Sequence, residues 1–201
     1  MKSLSKWLSA IVIAGLTTVS SVRAADDSPW YFKGDFGVNI IQDLPARSGG
    51  EHGNVSFDVG PRLAVAGGYK LNHCWALELE TGYTYNQIEH LSSGNNLIQV
   101  PILLNIVYSH AFNDQWSVYG GLGAGAGINT LNTSDEGSDT DLSFDYQASV
   151  GLKYAFSQNC AIGLGYKFLG TTENDWKFSG DSLHSDPVMN QSILVSFTVK
   201  F

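Results

Sequence analysis

From Trp30 onward, apolar and polar residues alternate in eight separate segments, at 30–41, 57–70, 74–87, 97–110, 116–129, 144–156, 160–171 and 191–201. A period of two marks a β-strand with one buried face. The connections between the segments alternate in length. Those after the second, fourth and sixth are tight: Leu71-Asn72-His73, Ala111-Phe112-Asn113-Asp114-Gln115 and Ser157-Gln158-Asn159. Their Asn and Asp residues supply turn chemistry. The connections at 42–56, 88–96, 130–143 and 172–190 are long and polar, and read as mobile loops. The pattern predicts an all-β fold: an eight-stranded antiparallel up-and-down barrel, with segments of the length that tilted strands need to cross a bilayer.

Parity then assigns the two faces. One face collects Phe57, Val59, Pro61, Leu63, Val65, Gly67 and Tyr69 on the second strand, Trp75, Leu77, Leu79, Thr81, Tyr83 and Tyr85 on the third, and Ile98, Val100, Ile102, Leu104, Ile106 and Tyr108 on the fourth. No Asp, Glu, Lys or Arg falls on this face in any strand. A Lys or Arg at the bilayer midplane costs about 2–4 kcal/mol, so a charge-free wall is the wall expected against lipid. Its aromatics cluster. Trp30, Tyr69, Trp75, Tyr108, Trp116, Tyr154 and Phe201 lie beside the short turns and termini, while Phe57, Tyr83, Tyr85, Phe144, Tyr146 and Phe168 lie toward the long connections. Two girdles of this kind suit the two membrane–water interfaces.

The opposite face carries Lys33, Asp35, Asp58, Arg62, Lys70, Glu78, Glu80, Asp145, Lys153, Lys167 and Lys200. An eight-stranded barrel holds side chains and little else, and buried charges must be paired. The expectation is a nearly neutral ionic network in the lumen, with Arg62 diagonally across from Glu80 and with Gly121, Gly123, Gly125, Gly163 and Gly165 leaving room for longer side chains. A polar inside and an apolar outside is the reverse of a soluble lipocalin-like barrel.

The N-terminus reads differently. Lys2 and Lys6 precede an apolar run from Trp7 to Leu16, and Val22-Arg23-Ala24 follows. This is the plan of a secretory signal peptide, expected at 1–24 and cleaved to leave the barrel domain at 25–201. Charged residues make up 15% of the chain, low for a soluble domain. The net charge of −8 becomes −11 once Lys2, Lys6 and Arg23 are removed, which argues against a nucleic-acid partner.

Four stretches carry a family resemblance: Trp30-Tyr31-Phe32-Lys33-Gly34-Asp35-Phe36-Gly37, Val100-Pro101-Ile102-Leu103-Leu104, Tyr119-Gly120-Gly121-Leu122-Gly123-Ala124-Gly125, and the last strand, with Ile193, Val195, Phe197, Val199 and Phe201 on one parity. Together they resemble the small outer-membrane β-barrels of the opacity-protein, OmpA-barrel and OmpX/Ail kind. The resemblance implies the cell outer membrane as location, with outer-membrane lipid and lipopolysaccharide as surroundings. It also implies that Phe201 is the terminal aromatic read by the barrel-assembly machinery, after escort by periplasmic chaperones. Members of these groups include adhesins, serum-resistance factors, structural barrels and small pores.

Candidate chemistry is sparse. His90-Leu91-Ser92, beside Glu89, has the His-x-Ser spacing of lipid A deacylases, but its flanking residues do not match them. The acidic stretch from Thr133 to Asp141 lacks EF-hand spacing, and the histidines show no metal-ligand spacing. Cys74 and Cys160 fall on strands that are not ring neighbours, so a disulfide between them is not the expectation even though an oxidising compartment would allow one. The expected function is therefore non-enzymatic, without metal or cofactor: a barrel serving envelope integrity and displaying loops for surface interaction or adhesion, with ligands on a host or another surface. A low-conductance pore is the alternative, and a lipid A-modifying enzyme a more distant one.

Overall fold

The computed structural model describes residues 28–48, 51–89, 94–134, 137–178 and 181–201. The expected signal peptide and its cleavage point lie outside the described residues, as do His90 and Ser92. Eight strands close into an antiparallel barrel: β1 (Trp30–Ile41), β4 (Gly60–Lys70), β5 (Trp75–Gln87), β6 (Asn96–Ala111), β7 (Trp116–Thr133), β8 (Gly137–Ala155), β9 (Cys160–Thr171) and β12 (Met189–Lys200). Each pairs with its sequence neighbours, and β1 closes the ring by pairing with both β4 and β12. No helix among the described residues is long and apolar enough to cross a membrane. The barrel itself is the crossing element.

Local chemistry explains the tight turns. The Oδ1 of Asn72 accepts the backbone N–H of Cys74 and Trp75, each at 2.9 Å. Asn113 does the same for Gln115 and Trp116, at 2.9 and 2.8 Å. At the third turn the Ser157 hydroxyl accepts from Asn159 and Cys160, at 3.3 and 2.9 Å. These side chains mimic a backbone turn, so each strand pair reverses in few residues.

The outer wall follows the parity. On β7 the outward side chains run from Trp116 to Ile128 without a charge. Twelve residues of tilted strand span about 30 Å, the hydrocarbon thickness of a bilayer. Three aromatic pairs stand across neighbouring strands at the short-turn end. Trp30 meets Tyr69 with ring centroids 4.8 Å apart, Trp75 meets Tyr108 at 5.0 Å, and Trp116 meets Tyr154 at 4.9 Å. Phe201 is exposed at the same end. Leu104 sits at mid-wall, 59% exposed, between Leu79 and Ala124 on the neighbouring strands. Leu104→Arg is expected to lower folding stability in lipid by about 2–4 kcal/mol. Gln158→Arg, in a short turn, should stay within about 0.5 kcal/mol. Urea titration in lipid vesicles checks both.

Inside, the two lumen tyrosines are seated on glycine. A Cβ on Gly68 would fall within the Tyr31 ring, and one on Gly165 would meet the Tyr119 hydroxyl.

The long connections correct the expectation of loops. β2 (Leu44–Ser48), β3 (Glu51–Val55), β10 (Asn174–Phe178) and β11 (Asp181–Ser185) form a second, four-stranded sheet in the order β10-β11-β2-β3. The first and last connections are thus joined, with Ser185 opposite Ala46. The stretch 130–143 extends β7 and β8 as one paired hairpin, up to Thr133 opposite Gly137.

Candidate functional site

The lumen is layered along the barrel axis. Near the short turns the Tyr31 hydroxyl donates to Glu78 at 2.7 Å, and Lys33 ion-pairs with the same carboxylate. At mid-height Lys167 Nζ lies 2.8 Å from Asp35 Oδ2 and 2.6 Å from Glu80 Oε1. Glu80 also accepts from Asn105 and Gln147, at 3.2 and 3.3 Å. Arg62 donates to Gln147 at 3.1 Å and to Ser192 at 3.2 Å, and its Nη2 stands 3.9 Å from Glu80. All six ionic side chains here are buried. Each charge therefore has a partner, as buried charge requires.

Of the eleven charged residues expected on the inward face, Asp58, Lys70, Asp145, Lys153 and Lys200 make no ion pair among the described residues. Asp58 is exposed, outside the barrel. β4 begins only at Gly60, and Asp58 and Val59 are exposed in succession, so the alternation breaks there. The same break turns Phe57 inward, where it is 7% exposed rather than part of the outer girdle. Asp145 is fully buried but accepts from the Ser143 hydroxyl rather than from a cation. Lys153 lies over the Tyr119 ring, 5.5 Å from its centroid, and Lys200 stands at the short-turn end. Among the described residues neither lysine forms an ion pair. The register also revises the diagonal proposed for Arg62. Arg62 faces Thr84 and Ala66 faces Glu80, so the long Arg62 side chain reaches across two further rungs.

Above the ions lies an amide layer. Asn39 donates to Asn86 at 2.9 Å and to Asn190 at 2.8 Å. Asn129 donates to Ser143 and Asn174, each at 2.8 Å, and accepts from Gln99 at 3.0 Å. Sequence reasoning weighed only charges and missed this layer. A census of Asn and Gln at inward parity would have found most of it.

Higher still the inside turns apolar. Ile41, Leu44, Phe57, Leu97, Leu131, Trp176 and Val188 form one buried cluster, with Val55 and Ile88 packed against it. Trp176, on the second sheet, also donates its indole N–H to the Asn129 carbonyl at 3.2 Å. The second sheet is thereby fastened over the barrel mouth as a lid. Inward-parity Ile41, Leu97 and Leu131 were the signal for it.

Other candidate chemistry stays unassembled. Cys74 and Cys160 are free thiols, and among the described residues no group of three His, Cys, Asp or Glu side chains could hold a metal ion.

Comparison with known proteins gives a consistent picture. The family model for the outer membrane protein beta-barrel domain matches residues 10–201. No curated protein matches the chain. Among solved structures, neisserial surface protein A is similar at 16% identity and a TM-score of 0.59, covering 87% of this chain and 98% of that one. The outer membrane protein OprG of Pseudomonas aeruginosa is similar at 12% identity and 0.59, with the same coverage. The outer membrane protein AlkL, solved in lipid bilayers, is similar at 14% identity and 0.53, covering 90% and 95%. At these identities the likeness is one of fold.

Proposed function

The chain belongs to the family of outer-membrane β-barrel domains, and from that premise we propose that it is a non-enzymatic, closed barrel whose working part is the platform outside the membrane. The observation carrying this reading is the second sheet clamped by Trp176 over a lumen already filled with ion pairs and amides. Binding surfaces gather on connections held by a rigid scaffold. Here the scaffold continues into the connections as sheet and hairpin, which lowers the entropy lost when a partner docks. The lid-side platform faces outward, among lipopolysaccharide and any host or neighbouring surface, and the short turns face the periplasm. β12, with its apolar face, serves as the strand that the barrel-assembly machinery reads, after escort by periplasmic chaperones.

Orientation has a built-in probe. Both native thiols lie at the short-turn end, so a membrane-impermeant maleimide should leave intact cells unlabelled and label lysed ones. Ser138→Cys, on the β7–β8 hairpin, should label on intact cells. The reverse pattern contradicts the topology. Function itself is tested in a deletion strain complemented with the wild-type chain, or with one whose residues 174–185 are replaced by a short turn. Adhesion and serum survival should return only with the wild type; equal rescue by both chains would sink the reading.

A further inference from the structure

The lumen charges are not evenly spread. With Asp58 outside, the acids Asp35, Glu78 and Glu80 gather in the lower and middle layers, where Lys33, Lys167 and Arg62 occupy them. The other three basic residues of the inward face, Lys70, Lys153 and Lys200, line one cavity of about 230 Å³ at the short-turn mouth. Among the described residues no ion pair joins any of them to a carboxylate. Sharing this cavity, Lys70, Lys153 and Lys200 stand close enough to repel one another. Glu78 faces Lys153 from the lumen, but it already holds Lys33 and the Tyr31 hydroxyl. Asp114, in the neighbouring turn, is the one carboxylate among the lining residues. The hydroxyl-bearing Ser117 and Thr198 line the same space.

Ammonium groups held this close without an ion-paired carboxylate are stabilised by an anion between them. A phosphate group offers several oxygens to several donors at once, and lysine binds it as a point charge. We propose that the periplasmic mouth of the barrel is a binding site for a phosphate-type anion, held by Lys70, Lys153 and Lys200. The anion is either a free phosphate of the periplasm or the headgroup of an inner-leaflet lipid. The site is independent of the surface platform and stands whether or not that platform binds a partner.

The test uses the full barrel in phosphatidylcholine nanodiscs, titrated with inorganic phosphate and followed by amide NMR. The amides of Ser117, Thr198 and His73 should shift saturably. The affinity should fall about fivefold for each of Lys70→Gln, Lys153→Gln and Lys200→Gln. In a second arm the nanodiscs contain phosphatidylglycerol and no phosphate is added. Shifts of the same amides there, with the same lysine dependence, assign the site to a lipid headgroup; shifts with phosphate alone assign it to a soluble anion. No saturable shift in either arm, or shifts unchanged in all three variants, overturns the proposal. The variants should also resist urea at least as well as the wild type, since each relieves repulsion. A lysine variant that unfolds more easily would place that lysine in an ion pair instead and would likewise overturn it.

Discussion

Lys167→Met is expected to cost the barrel about 3–5 kcal/mol of folding stability, among the largest effects of any single substitution. Lys167 is 3% exposed and its ammonium bridges Asp35 and Glu80, the central ion cluster of the lumen. Methionine keeps much of the length and packing and removes only the charge. Two buried carboxylates then face each other, with Arg62 at 3.9 Å as the one cation still paired with Glu80 beside the neutral amides of Asn105 and Gln147. The sign of the effect comes from that uncompensated charge rather than from the strength of the bridge. A triple variant that adds Asp35→Asn and Glu80→Gln should therefore recover most of the loss. Urea unfolding in lipid vesicles, read by tryptophan fluorescence, checks both. A loss below about 1 kcal/mol for the single variant would mean that water already reaches these carboxylates.

Trp176→Ala is the second large effect, at about 3–5 kcal/mol. Trp176 is 1% exposed, belongs to the apolar cluster of the lid, and donates to the Asn129 carbonyl. Removing the indole empties the contact that ties the second sheet to the barrel mouth. The loss should be local. Hydrogen exchange is expected to rise in β2, β3, β10 and β11 and to stay slow in the eight barrel strands, because the ring of backbone pairs does not depend on the lid. Uniform acceleration across the barrel would show instead that lid and barrel unfold as one unit.

Much of this architecture is legible in the chain. β1 and β9 coincide with their predicted segments, because alternation runs through the whole of β1 and through β9 as far as Phe168. The turns at Asn72, Asn113 and Ser157 are readable because one side chain does local work. The girdle is readable because Trp30, Trp75 and Trp116 each begin a strand. Three features are not readable, for separate physical reasons. Parity counts residues, so the irregular step at Asp58 and Val59 puts Phe57 and Asp58 on the wrong faces. Parity names a face but not a height around a ring, so it could not tell the paired ions at Lys167 from the lysines gathered at the mouth. The second sheet pairs segments far apart in sequence, such as β11 with β2, and short stretches like Leu44–Ser48 carry no alternation to announce them.

The account turns on a barrel that is closed inside and active on its surface. Planar-bilayer recording tests this most directly. The wild-type barrel should show no steady current, because ion pairs, amides and the apolar lid fill successive levels of the lumen, and Trp176→Ala should leave the ionic and amide layers in place and the current low. A stable, ohmic, porin-like conductance from the wild-type protein would contradict the account.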